Sequence, residues 1–119
     1  MDNSVLLSIR DLSISFPSGT HKNRVLHHVS FDIHTHKILG VVGESGSGKS
    51  VTSLAIMGLL PQKLACIDSG SIHYLNDSLL DLDQKKMEAL RGNEIAMIFQ
   101  EPMSSLNPTM TCGKQVSEI

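Results

Sequence analysis

Gly43-Glu44-Ser45-Gly46-Ser47-Gly48-Lys49-Ser50 is the stretch on which the fold turns. Before it runs a continuous apolar segment, Ile38-Leu39-Gly40-Val41-Val42. After it, Val51, Leu54, Ala55 and Gly58 fall at i, i+3, i+4 and i+7, one face of a helix. A short run rich in β-branched residues fits a buried parallel strand covered on both faces. Strand, glycine-rich turn and helix, in that order, form the setting in which the spacing G-x-x-x-x-G-K-S cradles a polyphosphate. From average residue frequencies, a chance match in a chain this long is expected in roughly one sequence in 250. Glycines let the main chain approach phosphate oxygens closely, successive N–H groups converge on them, and the positive end of the helix adds to the attraction. Lys49 supplies a mobile point charge for β- and γ-phosphates, and the Ser50 hydroxyl is placed for Mg²⁺. The competing reading is a glycine-rich turn that binds nothing.

Working outward, Ile9, Leu12, Ile14 and Phe16 are interleaved with Ser8, Asp11, Ser13 and Ser15. From Leu12 onward the period is two, which predicts a half-buried strand. Pro17-Ser18-Gly19 ends it, and the polar run to Arg24 reads as a turn. Residues 25–33 resume strand character with Val29, Phe31 and Ile33 on one face, so two neighbouring antiparallel strands are predicted. Residues 70–74 are a weaker strand candidate, and residues 82–91 read as an amphipathic helix. Ile95-Ala96-Met97-Ile98-Phe99 is a second continuous apolar run, again predicted as a buried strand. A polar loop flanked by prolines leaves it, from Gln100 to Pro108, and residues 113–119 read as the start of a helix. The fold class implied is α/β, an antiparallel β-layer beside a parallel core. One domain is partitioned into β-layer strands (1–36), phosphate-loop strand and helix (37–60), and the loop region 95–108.

Composition narrows the function. Of 119 residues, 40% are apolar and 18% charged, and the mean hydropathy is +0.02, a globular balance that excludes a disordered tail. Net charge is −2, with an isoelectric point near 6.3, so no footprint for nucleic acid is present. Aromatics at 3% leave no stacking platform for single strands. The longest apolar runs, 38–42 and 54–60, fall short of the roughly 20 residues that span a bilayer. The opening residues carry Asp2 and no basic n-region, so no signal peptide is predicted. Cys66 and Cys112 are isolated and read as reduced thiols of a cytosolic protein. The adjacent pair His27 and His28, and His34 with His36, lack a completing ligand at metal-binding spacing and read as surface or turn residues. Met97, Met103 and Met110 read as packing residues. Asp77, Asp81 and Asp83 read as a solvated approach that favours the following helix N-terminus.

The string GESGSGKS, an apolar helix ending MGLLP (57–61), and IAMIFQEPMSSLNP (95–108) together resemble the ATP-binding subunits of ABC transporters. Within that family the chain is most similar to the oligopeptide/dipeptide importers, whose relatives move nickel or glutathione. The resemblance runs over essentially the whole chain, and FQEPMSSLNP is more specific to the group than the phosphate loop. It implies a P-loop NTPase of ABC type that binds ATP and Mg²⁺ through Gly43, Glu44, Ser45, Gly46, Ser47, Gly48, Lys49 and Ser50. It implies that Gln100 reaches toward Mg²⁺ and the attacking water, in keeping with a polar residue at the end of a buried strand facing the ligand crevice. A plain loop glutamine is the alternative. Phe16 matches the aromatic that stacks on adenine in the family, against the alternative of a core phenylalanine. Residues 100–108 would dock a permease helix. A second ATP-binding domain and, indirectly, a solute-binding protein complete the implied partners, at the cytoplasmic face of the cell membrane. Where the family carries Gly-Glu before the phosphate-loop strand, this chain has His36-Lys37, a departure in the preceding turn. Nothing after Gln100 resembles the LSGGQ signature, the Walker B acids or the switch histidine, which implies a truncated domain without its general base. The rival readings are a fragment that binds nucleotide, or nothing, without turnover, and a soluble P-loop kinase or GTPase, in which FQEPMSSLNP has no role.

Overall fold

A long β-hairpin carries the molecule. In the computed structural model, which describes residues 4–100 and 107–117, β1 (Val5–Ser18) pairs antiparallel with β2 (His21–His34). Ile9 lies opposite Phe31, Leu12 opposite Val29, and Ile14 opposite Leu26. On the other edge of β1 lies β3 (Cys66–Tyr74), followed by the two-residue β4 (Asp77–Ser78). The order is β2-β1-β3-β4, with antiparallel pairing throughout.

The step from Ile9 to Leu12 is three residues, and a bulge absorbs the odd one. Asp11 (φ 47°) and His28 (φ 48°) take left-handed backbone where the register of the hairpin shifts. The extra residue lets Ile9, Leu12 and Ile14 all enter one core. Hydroxyls satisfy the main-chain groups that the bulge frees. Ser30 Oγ accepts from the Asp11 N–H at 2.8 Å, and Ser13 Oγ accepts from the His28 N–H at 2.9 Å. Ser13 is fully buried, and this bond is the reason a hydroxyl is tolerated there. At the hairpin surface Asp32 accepts from Arg10, which holds its carboxyl below the usual carboxylate range.

One face of the sheet is covered by α1 (Lys49–Met57), a 3₁₀ turn (Leu79–Asp81) and α2 (Gln84–Leu90). Ala55, Leu79 and Met87 from this layer join Leu7, Ile9, Leu12, Ile14, Leu26 and Ile72 in the core. Withdrawing one large aliphatic side chain from water is worth about 1.5–3 kcal/mol, so the fully buried Ile9, Leu12, Ile14 and Ile72 anchor the layer. Asp83 opens α2 as its N-cap, accepting from the Lys86 N–H at 2.8 Å. A third helix, α3 (Cys112–Val116), follows Thr111, whose hydroxyl accepts from the Lys114 N–H. Residues 101–106 of the predicted docking loop lie outside the described residues.

Two predicted strands are not strands. Among the described residues, 38–42 and 96–99 have no ladder partner, and Ile95 makes an isolated parallel bridge to Arg91. Ile38, Val42 and Ile98 are 101%, 93% and 96% exposed. An apolar, β-branched run reports the burial a segment suits, whereas a ladder also needs a neighbour about 4.8 Å away. Leu39 and Val41 line a cavity of about 380 Å³ together with Met97 and Ile98, and no ladder joins the two runs.

The turn before the phosphate loop accounts for the departure at His36. That residue takes φ 60°, the left-handed backbone a glycine adopts freely, and the Lys37 N–H closes the turn on His34 O at 3.2 Å. The geometry is kept with histidine at a cost of about 1–2 kcal/mol.

Exposed apolar segments without ladder partners pair with other chains. The 119-residue chain is therefore expected to self-associate and to bind a hydrophobic dye. Val42→Lys together with Ile98→Lys should shift sedimentation toward monomer. A wild-type chain that sediments as a monomer, melts cooperatively and ignores the dye would contradict this.

Candidate nucleotide-binding site

The first residue of α1 is Lys49, and its N-cap is Gly48 at φ 101°, ψ 7°. No side chain caps this end, and the first turn contains no acid. The first intrahelical bond runs from the Thr52 N–H to Gly48 O at 2.9 Å. The amides before it point out of the helix with the positive end of its dipole, an arrangement suited to an anion. Only glycine serves at position 48. Its backbone is left-handed, and a Cβ there would collide with Leu26 Cδ2 from β2. Gly48 is also the one buried residue of the loop, so β2 acts as the bench on which the helix start rests.

Ahead of Gly48 the chain turns tightly, with the Ser47 N–H donating to Glu44 O at 3.1 Å. Lys49 folds back over this turn. Its Nζ donates to Gly43 O, to Glu44 O at 2.9 Å and to Ser47 Oγ at 3.3 Å. The ammonium thus sits against the loop it would share with a phosphate, held by oxygens that a phosphate can replace. A cavity of about 400 Å³ opens here, lined by residues 45–51, Val25 and Gln100. Gln100 therefore reaches the same hollow as Ser45, Gly46, Ser47, Lys49 and the exposed Ser50. Gly43 and Glu44 contribute their carbonyls to the lysine from behind.

The donor set fits a magnesium–polyphosphate group. Main-chain N–H groups and one ammonium suit the phosphates, while the Ser50 hydroxyl and the Gln100 amide oxygen are hard oxygen donors for Mg²⁺. Among the described residues, no cluster of three or more His, Cys, Asp or Glu could hold a metal on its own. Phe16 is not among the residues lining this cavity. It lies near the turn end of β1, opposite Asn23, half-buried against the core. Sequence reasoning missed Val25 and Leu26 as the support beneath the loop. Their contact spans more than twenty residues, and no local spacing announces it.

Comparison with known proteins agrees with the geometry. The family described as ABC transporter matches residues 26–118, and the chain belongs to that family. It is 48% identical over 114 residues to the peptidoglycan transport ATP-binding protein YejF of Agrobacterium fabrum, covering 96% of this chain and 21% of that one. It is 46% identical to the oligopeptide transport ATP-binding protein OppD of Bacillus subtilis, covering 96% and 32%. The dipeptide transport ATP-binding protein DppD of the same organism is 45% identical, covering 95% and 34%. The chain thus spans between a fifth and a third of the length of these curated relatives. Family membership carries the P-loop fold, of which the described residues display the antiparallel layer, the phosphate loop and its helix. No described helix is long and apolar enough to cross a membrane.

Gly48→Ala is expected to lower stability by about 1–3 kcal/mol, from the strained backbone and the clash with Leu26. Gly40→Ala, where an added Cβ meets nothing within 4 Å, should stay within about 0.5 kcal/mol. Thermal or urea melts of the two variants check this. Equal midpoints would remove the steric argument.

Proposed function

We propose that this chain is the nucleotide-gripping part of an ABC transporter subunit that energises peptide import by hydrolysing ATP. The observation that carries the reading is the loop at residues 43–50, seated on an uncapped helix start with Gln100 facing the same cavity. The oligopeptide and dipeptide transport relatives support peptide as the cargo class.

In this reading the loop amides and Lys49 hold the β- and γ-phosphates, and Ser50 with Gln100 holds Mg²⁺. The metal, when bound, neutralises charge on the transferring phosphoryl group. Gln100 orients water through its amide, and Lys49 exchanges its loop carbonyls for phosphate oxygens. Phe16 is proposed to stack on the adenine. Residues 100–108 face a membrane permease, a second ATP-binding domain closes over the nucleotide, and a solute-binding protein delivers the peptide to the permease. The assembly works at the cytoplasmic face of the membrane, with this subunit peripheral to it.

Isothermal titration with Mg-ATP tests the grip. Lys49→Ala is expected to weaken binding about tenfold or more, since it removes a charge-assisted contact. Equal affinity for the two proteins would overturn the proposal.

Turnover needs more than grip. Among the described residues, no carboxylate lines the cavity beside the loop, and the amide of Gln100 cannot take a proton. Assayed as these 119 residues, the chain is expected to release phosphate no faster than its Lys49→Ala variant. Robust release that the substitution abolishes would count against this.

A further inference from the structure

We infer that Arg91 is a positioning residue for the phosphate loop: it braces the far end of α1 and so sets how Ser50 faces Gln100. This rests on the proposed nucleotide site for its Mg²⁺ consequence, but not for its geometry.

Arg91 follows α2 as its C-cap. Its Nε donates to Met57 O at 2.7 Å and its Nη2 donates to Gly58 O at 3.0 Å, the two carbonyls that end α1. A guanidinium there satisfies groups the helix cannot, and its charge meets the negative end of the dipole. The fit is close. Gly58 has φ 66°, and a Cβ on it would come within 3.1 Å of Arg91 Nη2 and 3.2 Å of Met87 Cγ. A cavity of about 290 Å³ lies beside this junction, lined by Ala55, Leu79, Leu82 and Met87 among others, so apolar packing alone leaves slack there.

Arg91 also belongs to the turn that launches residues 96–100. The N–H groups of Asn93, Glu94 and Ile95 all donate to Leu90 O, and the Gly92 N–H donates to Ile95 O at 2.8 Å. Glu94 of the same turn and Tyr74 of β3 line one cavity. Two arms therefore leave one junction. One is α1, running back about 12 Å at 1.5 Å per residue to Lys49 and Ser50. The other is the irregular segment from Ile95 to Gln100. Both reach the cavity that Ser50 and Gln100 share. A tilt of about 10° at the junction moves the far end of α1 by about 2 Å, and errors near 1 Å are enough to spoil a site that depends on position.

The test uses two substitutions. Arg91→Met keeps the apolar stem and removes the donors, while Arg91→Lys keeps the charge but offers one nitrogen to two carbonyls. Spin labels at Ser53→Cys and Ile98→Cys, with Cys66 and Cys112 replaced by serine, report the angle between the arms without nucleotide. The distance distribution should broaden in Arg91→Met, with Arg91→Lys intermediate. A distribution unchanged from the parent in both, or in Arg91→Lys should Arg91→Met not fold, overturns the inference. Titration with ATP supplies the second readout. The factor by which Mg²⁺ tightens ATP binding should fall about five- to tenfold in Arg91→Met, with metal-free affinity little changed. Loss of both affinities in parallel would mark mere destabilisation and overturn the positioning role. Were the parent chain not to bind ATP, the proposed function would fail, while the spin-label distances would still decide for or against the brace.

Discussion

The contact between Gly48 and Leu26 is the constraint from which the site follows. It seats the start of α1 on β2, and it does so with a residue that has no side chain to hold the two apart. Everything the loop offers depends on that seat. The amides of the first turn aim outward because the helix begins there, and they stay uncapped because no side chain of the loop bends back to them. A capping serine or aspartate would steady the helix by about 1 kcal/mol and would occupy the donors an anion needs. The seat supplies the stability that the missing cap withholds. Leu26 is itself buried against Ile14 and the rest of the core, so the phosphate loop is tied through one contact to the hairpin.

Local rules made part of this legible before any coordinates. The spacing from Gly43 to Ser50 marked the loop, and the apolar face of residues 51–58 marked a helix that ends at Met57, with Gly58 as its left-handed C-cap. The two long strands followed from alternation, but the turn between them is only Gly19-Thr20: Pro17-Ser18 and the polar residues 21–24, read as turn, continue the hairpin ladder, because antiparallel pairing satisfies their main chain whatever their polarity. The odd spacing of Ile9 and Leu12 was visible too, though only the backbone shows that a bulge at Asp11 resolves it. What stayed hidden was long-range. Nothing near Leu26 says that it lies beneath Gly48, and nothing near Arg91 says that it ends a helix 34 residues earlier.

The two apolar runs at 38–42 and 95–99 show the opposite limit. Their composition is that of strands buried on both faces, yet Val42 and Ile98 are almost fully exposed. Composition records the environment a segment is built for. The distance to a hydrogen-bonding neighbour decides whether a ladder forms, and none joins these two runs, which line one cavity. The loop and its helix do not share this dependence, because their support comes from the hairpin and α2. That is why the phosphate cradle is formed in a chain whose flanking runs have no ladder partners.

Lys49 shows how the loop accommodates a cation of its own. An ammonium beside an uncapped helix start faces a positive potential, and three loop oxygens offset it through Nζ. Two are carbonyls and one is a hydroxyl, all neutral acceptors. A phosphate oxygen carries formal charge and makes the stronger, shorter bond to an ammonium. In the proposed site, binding would therefore exchange weak contacts for strong ones, and the affinity would be the difference between them, not the whole of the new contacts. The flexible four-carbon stem makes that exchange possible. A rigid guanidinium fork at the same position would trade its loop partners less readily, so the role proposed for Lys49 suits a side chain that can leave the loop to meet a phosphate.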